Sequence, residues 1–184
     1  MKTADVIIVG SGASGLFNAL FLPQDYKVIV ITKKEVEESD SFLAQGGISA
    51  LKNPEDYDSY FEDTMKAGHY ENDKGAVEKM IKESPQIIQD LKDFGVRFDL
   101  KDGEIEFTRE GGHSTFRILH HEDLTGKEIT SHLYEEAKKR DNITIMENCT
   151  MIDIIEKDGE CKGIVYKDAD GNLDTIEAPA VSYT

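Results

Sequence analysis

Two cysteines, Cys149 and Cys161, are all that this chain of 184 residues carries. They have neither CxxC nor metal-ligand spacing, which argues against a disulfide framework and predicts a reducing, cytoplasmic setting. Long apolar runs are missing, as is a basic-plus-apolar stretch at the N-terminus, so neither a membrane span nor a secretory signal is expected. Basic residues are scarce, 21 against 37 acidic ones for a formal charge of −16. That balance argues against nucleic acid or an anionic membrane as a partner. Glu110-x-x-His113 lacks the second histidine one helical turn away that a zinc signature needs, and His69, His120, His121 and His132 have no ligand spacing, so no metal is expected. There is no internal repeat and no low-complexity linker. The length suffices for one well-buried domain or two small ones.

What is present is a nucleotide-binding pattern at the N-terminus. Val6-Ile7-Ile8-Val9 reads as a strand buried on both faces. The motif Gly10-Ser11-Gly12-Ala13-Ser14-Gly15 follows at once and opens an apolar helix beginning at Leu16. Gly10 suits a tight turn, Gly12 a close backbone approach to a pyrophosphate, and Gly15 close helix–strand packing. A second β-branched run at 27–32 completes a β-α-β unit. The acidic residue that such units place at the end of the second strand is not there; the run ends in Thr32-Lys33-Lys34, with Glu35 the nearest carboxylate. Lys33 is suited either to neutralising a phosphate or to a solvated loop. On so acidic a chain, an anionic ligand must find its positive potential locally, at helix N-termini and a few cations.

The stretch 39–50 is poor helix and poor strand, rich in hydroxyl, amide and backbone donors, and reads as a loop. Asn53-Pro54-Glu55 starts a helix that ends at Gly68. Another starts at Asp73 with Val77, Met80 and Ile81 on its inner face; Ser84-Pro85 is expected to interrupt it, with a restart carrying Ile87, Ile88 and Leu91. Residues 96–100 and 104–108 flank Asp102-Gly103 as a hairpin. A polar loop from Thr108 to Arg117 follows, with Arg109, Glu110, His113 and a glycine pair. A helix with Ile129, Leu133 and Ala137 inward leads to a third parallel strand at 142–146. Residues 151–156, 162–167 and 173–178 form an antiparallel meander, and Asp168-Ala169-Asp170-Gly171 is a turn whose glycine is misplaced for a calcium loop. The class is therefore α/β: a Rossmann-like parallel sheet with crossover helices and a small β-meander.

Ala44-Gln45-Gly46-Gly47-Ile48, Thr108-Arg109-Glu110-Gly111-Gly112-His113-Ser114 and Asp123-x-Thr125-Gly126, in this order after the glycine motif, resemble the flavoprotein-subunit family of succinate dehydrogenase and fumarate reductase, and within it the L-aspartate oxidase branch. The resemblance runs along essentially the whole chain. It implies FAD in place of NAD, and it accounts for the missing acid, since that family has Ser or Thr followed by Lys at this point. It implies that Gly10, Ser11, Gly12, Ala13, Ser14, Gly15 and Lys33 hold the ADP half. Asp40, Ser41, Phe42, Leu43, Ala44, Gln45, Gly46 and Gly47 would run beside the pyrophosphate and the flavin, and Thr150 and Met151 would contact the adenine side. The membrane-bound members attach flavin through a histidine where this chain has Asp40, so noncovalent flavin is expected.

Those members also carry an apolar residue where Glu110 stands. A carboxylate there has a reason in amino-acid chemistry, because it can orient the α-ammonium group that succinate lacks. Glu110 is thus the candidate catalytic residue. The implied reaction is hydride transfer from Cα of L-aspartate to flavin, giving iminoaspartate, with reoxidation by dioxygen or fumarate. A quinolinate synthase would consume the product in NAD biosynthesis, which makes it a candidate partner. A soluble fumarate reductase and a non-catalytic flavin-binding module are the alternatives. The family's chains are more than twice this length, so the sequence is expected to be the first segment of an FAD-binding domain, 1–184, without the capping and C-terminal helical domains, and inactive alone. Arg109, His113 and Arg117 fit either a substrate carboxylate or a brace for their own loop.

Overall fold

The β-branched runs do become strands. In the computed structural model, which describes residues 2–183, Val6–Val9, Val28–Ile31, Ile143–Met146 and Ala180–Tyr183 form one parallel sheet. The spatial order is Ala180–Tyr183, Val6–Val9, Val28–Ile31, Ile143–Met146. Because side chains alternate across a strand, the two faces have different partners. Ile8, Val28 and Val30 pack on Ala19 of the helix Ala13–Phe21. Ile7, Ile29 and Ile31 face the other way, onto Cys149, Ile164, Tyr166 and Ile176. Covered on both sides, these strands read as continuous apolar runs instead of alternating ones.

The second cover is the meander. Thr150–Lys157, Glu160–Lys167 and Leu173–Glu177 are antiparallel neighbours, as expected, and Lys2–Thr3 adds a short parallel strand to its edge. The chain divides into two compact units, one made of Met1–Ala44 with Ile129–Thr184, the other of Gln45–Glu128. Both sheets just described lie in the first unit.

In the second unit, Asn53 Oδ1 accepts from Asp56 N at 3.1 Å to start the turn Pro54–Asp56, which continues as the helix Tyr57–Ala67. Asp73 Oδ1 likewise accepts from Ala76 N at 2.7 Å and starts the helix Lys74–Asp93. Tyr60, Met65, Val77 and Ile81 form the apolar cluster between them. Two expectations fail here. Pro85 does not break the helix, which runs through it to Asp93. The carbonyl that Pro85 cannot serve is that of Ile81, and the neighbouring Ser84 hydroxyl donates to it at 2.7 Å. The same hydroxyl accepts from Leu51 N at 2.8 Å, so the proline step is tied into the surrounding fold. Met80, expected inward, is about half exposed at 47%, because the uninterrupted helix keeps one stripe through Val77, Ile81, Ser84, Ile88 and Leu91.

The hairpin at Asp102-Gly103 exists but is short, with Leu100↔Ile105 and Lys101↔Glu104 its only pairs. Phe107–Thr108 leaves it to pair with Ile118–Leu119, which also pairs with Ile48–Ser49. The stretch 39–50 is likewise not all loop. Ser39 Oγ accepts from Phe42 N and caps the short helix Asp40–Leu43, and Ile48–Ser49 is a strand. The helix Thr125–Lys138 buries Ile129, Leu133 and Ala137 as its spacing predicts. Among the described residues no helix is long and apolar enough to cross a membrane.

Candidate functional site

The first unit gathers its chemistry where the strand Val6–Val9 turns into the helix Ala13–Phe21. Gly10 has φ 116°, and its N–H donates to Ile31 O at 2.9 Å, so the turn is anchored to the neighbouring strand. A Cβ on Gly15 would stand 2.1 Å from the Gly10 carbonyl oxygen; this backbone crossing admits no side chain. Gly12 begins the helix with no side chain accepting from its first N–H groups. Those donors and the positive end of the helix dipole stay available to an anion. The Ser11 hydroxyl, buried, donates to Thr32 Oγ1 at 2.9 Å and ties the turn to the end of the second strand.

Around this turn lies an open cleft of about 580 Å³. Of the residues singled out in sequence, Gly10, Ser11, Gly12, Ser14, Lys33, Asp40, Ser41, Thr150 and Met151 line it. Ala13 and Gly15 do not; Gly15 is buried in the helix–strand contact. Phe42 and Leu43 continue the short helix away from the lining, with Ala44 as its C-cap. Sequence reasoning had not singled out Lys34, Glu38, Ser39 or Cys149, which also border the cleft. The free signal for Cys149 was slight, since only folding brings it beside Thr32, whose carbonyl accepts from Cys149 N at 2.8 Å. Burial pushes its thiol up, away from nucleophilic chemistry. Lys34 is paired with Glu38 at 3.0 Å, whereas Lys33 makes no ion pair among the described residues and is the cation free to meet a ligand.

This cradle fits a dinucleotide. An uncapped helix start, a serine-rich wall, one unpaired lysine and backbone packed too tightly for any Cβ at position 15 are what a diphosphate needs from an acidic protein.

The other candidate residues belong to the second unit. Gln45 and Gly46 are exposed. Gly47 is required by a crossing: a Cβ there would lie 2.2 Å from Ile118 Cγ2 and 2.3 Å from Leu119 O. Glu110 is exposed on the turn before Gly111-Gly112, and its carbonyl accepts from His113 N at 3.3 Å. Its carboxylate has no hydrogen-bond or ion-pair partner among the described residues.

Asp56 and Asp63, by contrast, are engaged. Arg117, with its side chain fully buried, spans Asp56 and Asp63 on the helical segment 54–67. Its Nε and Nη2 donate to the two Asp56 oxygens, each at 2.8 Å, and Nη1 donates to Asp63 Oδ2 at 2.6 Å. The Arg117 guanidinium, helped by the Ser59 and Thr115 hydroxyls, holds the Asp56 carboxyl down at about 2 despite its burial. Burial opposes ionisation of Asp63, but the Ser114 N–H and Arg117 outweigh it and lower that carboxyl too. Arg117 is raised in turn, chiefly by Asp56. Arg117 also donates to Ser59 Oγ and His113 Nδ1, so all five of its N–H groups are engaged within the protein. That settles its role toward a brace. Arg109 is exposed and lies over the Phe116 ring at 5.8 Å.

The chain has recognisable relatives. A family model described as FAD binding domain matches residues 5–181. The chain is 42% identical over 180 residues to an L-aspartate oxidase of Clostridium perfringens, covering 98% of this chain and 41% of the relative. It is 46% identical over 160 residues to the L-aspartate oxidase of Clostridium acetobutylicum, covering 86% and 37%. The fold is similar to that of E. coli quinol fumarate reductase, with a TM-score of 0.92 at 26% identity, over all of this chain and 33% of that one. The chain thus spans about two fifths of the length of the curated relatives it matches.

Proposed function

This chain belongs to the FAD binding domain family, and from that premise we propose that it is the flavin-holding part of an enzyme that oxidises L-aspartate to iminoaspartate. The observation that carries the substrate is Glu110. It is a carboxylate without a partner among the described residues, whereas Asp56 and Asp63 are occupied by Arg117. It is free to accept from an α-ammonium group, whereas succinate and fumarate offer it only repulsion. The helix start at Gly12, Ser14 and Lys33 would hold the diphosphate of FAD, with Thr150 and Met151 at the adenine side. Asp40 has no nucleophilic nitrogen, so the flavin would be held without a covalent bond. When bound, the flavin supplies the oxidising chemistry that no side chain here has, taking up the hydride equivalent from Cα. Dioxygen or fumarate would reoxidise it, and a quinolinate synthase would draw off the product on the way to NAD.

Since the curated relatives are more than twice as long, the base and the lid are proposed to lie in segments outside these residues. The chain by itself would then turn over little or no aspartate. The test is spectroscopic. The purified chain should carry flavin absorbance. Under anaerobic conditions L-aspartate should perturb it, succinate should not, and Glu110→Gln should abolish the response to aspartate while leaving the flavin bound. A flavin-free chain, or an equal response to both diacids, refutes the proposal; the latter would favour a fumarate-reductase-like protein, a reading the likeness to the E. coli enzyme supports.

A further inference from the structure

We propose that Arg117 is a positioning residue: it locks the loop 109–116 against the helical segment 54–67 and fixes the tautomer of His113, so that the loop carrying Glu110 presents one arrangement of donors and acceptors. The mention of Glu110 rests on the reading above; the locking does not.

Two loop residues converge on the two carboxylates that hold Arg117, and a third meets Arg117 itself. Thr115 Oγ1 donates to Asp56 Oδ1 at 2.7 Å, and Ser114 donates both its N–H and its hydroxyl to Asp63 Oδ2, each at 2.7 Å. His113 is tied to the guanidinium itself, with Arg117 Nη1 3.0 Å from His113 Nδ1. The guanidinium carbon lies over the Tyr60 ring, 4.8 Å from its centroid. A guanidinium only donates, so Nδ1 must be the acceptor in this contact, and the neutral imidazole carries its hydrogen on Nε2.

The adjoining Gly111 and Gly112 have nothing within reach of an added Cβ, so the glycine pair receives no steric support of its own. Ordering such a backbone costs conformational entropy, which the bonds gathered at Arg117 offset before a ligand arrives. His113, Gly111 and Gly112 border a small cavity of about 240 Å³ with Ser49, Tyr60 and Asp63. The donor that His113 has left over, Nε2–H, is therefore set by a residue whose own N–H groups are all taken within the protein.

The experiment is long-range proton–nitrogen NMR on the histidine-labelled chain at about pH 8, where a free imidazole is neutral. In the wild type His113 should show a protonated Nε2 and a bare Nδ1. In Arg117→Gln the ring should become a mixture of tautomers, and amide exchange across 109–116 should rise about tenfold or more. Asp63→Asn retains the Arg117–Asp56 pair and the His113 contact, so there the tautomer should persist while the Ser114 amide alone loses protection. A wild-type His113 protonated on Nδ1, or a tautomer indifferent to Arg117→Gln, overturns the proposal. Should Arg117→Gln fail to fold, the wild-type and Asp63→Asn spectra still decide. No sample contains aspartate, so failure of the substrate reading would leave this result standing, and the reverse holds as well.

Discussion

Acid should weaken the second unit through Asp56, and by an amount the structure sets. The Asp56 carboxyl is held at about 2 against an ordinary 3.8, primarily by the Arg117 guanidinium. At 1.36 kcal/mol per pKa unit, that difference is worth about 2 kcal/mol of folding stability. The side chain is only 9% exposed, so solvent screening removes little of it. The folded value lies below the unfolded one. The contribution is therefore complete above the unfolded carboxyl's range and disappears as pH falls through the folded value. It should stand near its full size at about pH 6, lose roughly half by about pH 3 and be mostly gone near pH 2.

Urea unfolding followed by circular dichroism, on the wild type and on Asp56→Asn, isolates this contribution from that of the other carboxylates, because the difference between the two proteins cancels the shared background. That difference should shrink by about 1 kcal/mol between about pH 6 and about pH 3. A difference that stays flat, or grows with acid, would mean that the Arg117–Asp56 pair does not stabilise the charged carboxylate, and the account of the buried network would fail.

Two further outcomes follow from single contacts. Gly15→Ala puts a methyl group 2.1 Å from a backbone oxygen that cannot move without opening the strand–helix crossing; flavin retained on purification should fall about tenfold or more, and an undiminished flavin-to-protein ratio would contradict the assigned cradle. Ser84→Ala removes both the donor that serves the Ile81 carbonyl and the acceptor for Leu51 N; the loss should be about 1–3 kcal/mol in chemical denaturation, and a change under about 0.5 would show that Pro85 is accommodated some other way.

How much of this could be read from residues alone differs by element. The central strands were legible because four consecutive β-branched or aliphatic residues have few other places to go than a doubly covered sheet. The glycine turn was legible because its spacing, its strand and its helix are all local. Caps at Asn53 and Asp73 announce themselves within three residues. Pro85 misled because its compensation includes Leu51, far away in sequence. The stretch 39–50 misled because its strand exists only through Ile118–Leu119. Arg117 looked like one more charge in a polar loop. Only folding shows that Asp56 and Asp63, on a different element, take three of its five N–H groups and that Ser59 and His113 take the other two. The paired second lysine, Lys34, is distinguished from Lys33 only by the turn that brings Glu38 beside it.

The order of assembly carries a consequence for biogenesis. Val28 finds its partner at Ile143 and Val6 finds one at Ala180, with all of Gln45–Glu128 threaded in between. A nascent chain can therefore pair Val6–Val9 with Val28–Ile31 early, but the outer edge of each strand stays bare while an entire insert is synthesised. Slow, long-range pairing of this kind is the interval in which sticky edges meet the wrong neighbour. Translation tempo and chaperone supply, more than the strength of the finished sheet, would then govern how much of this protein reaches its native state.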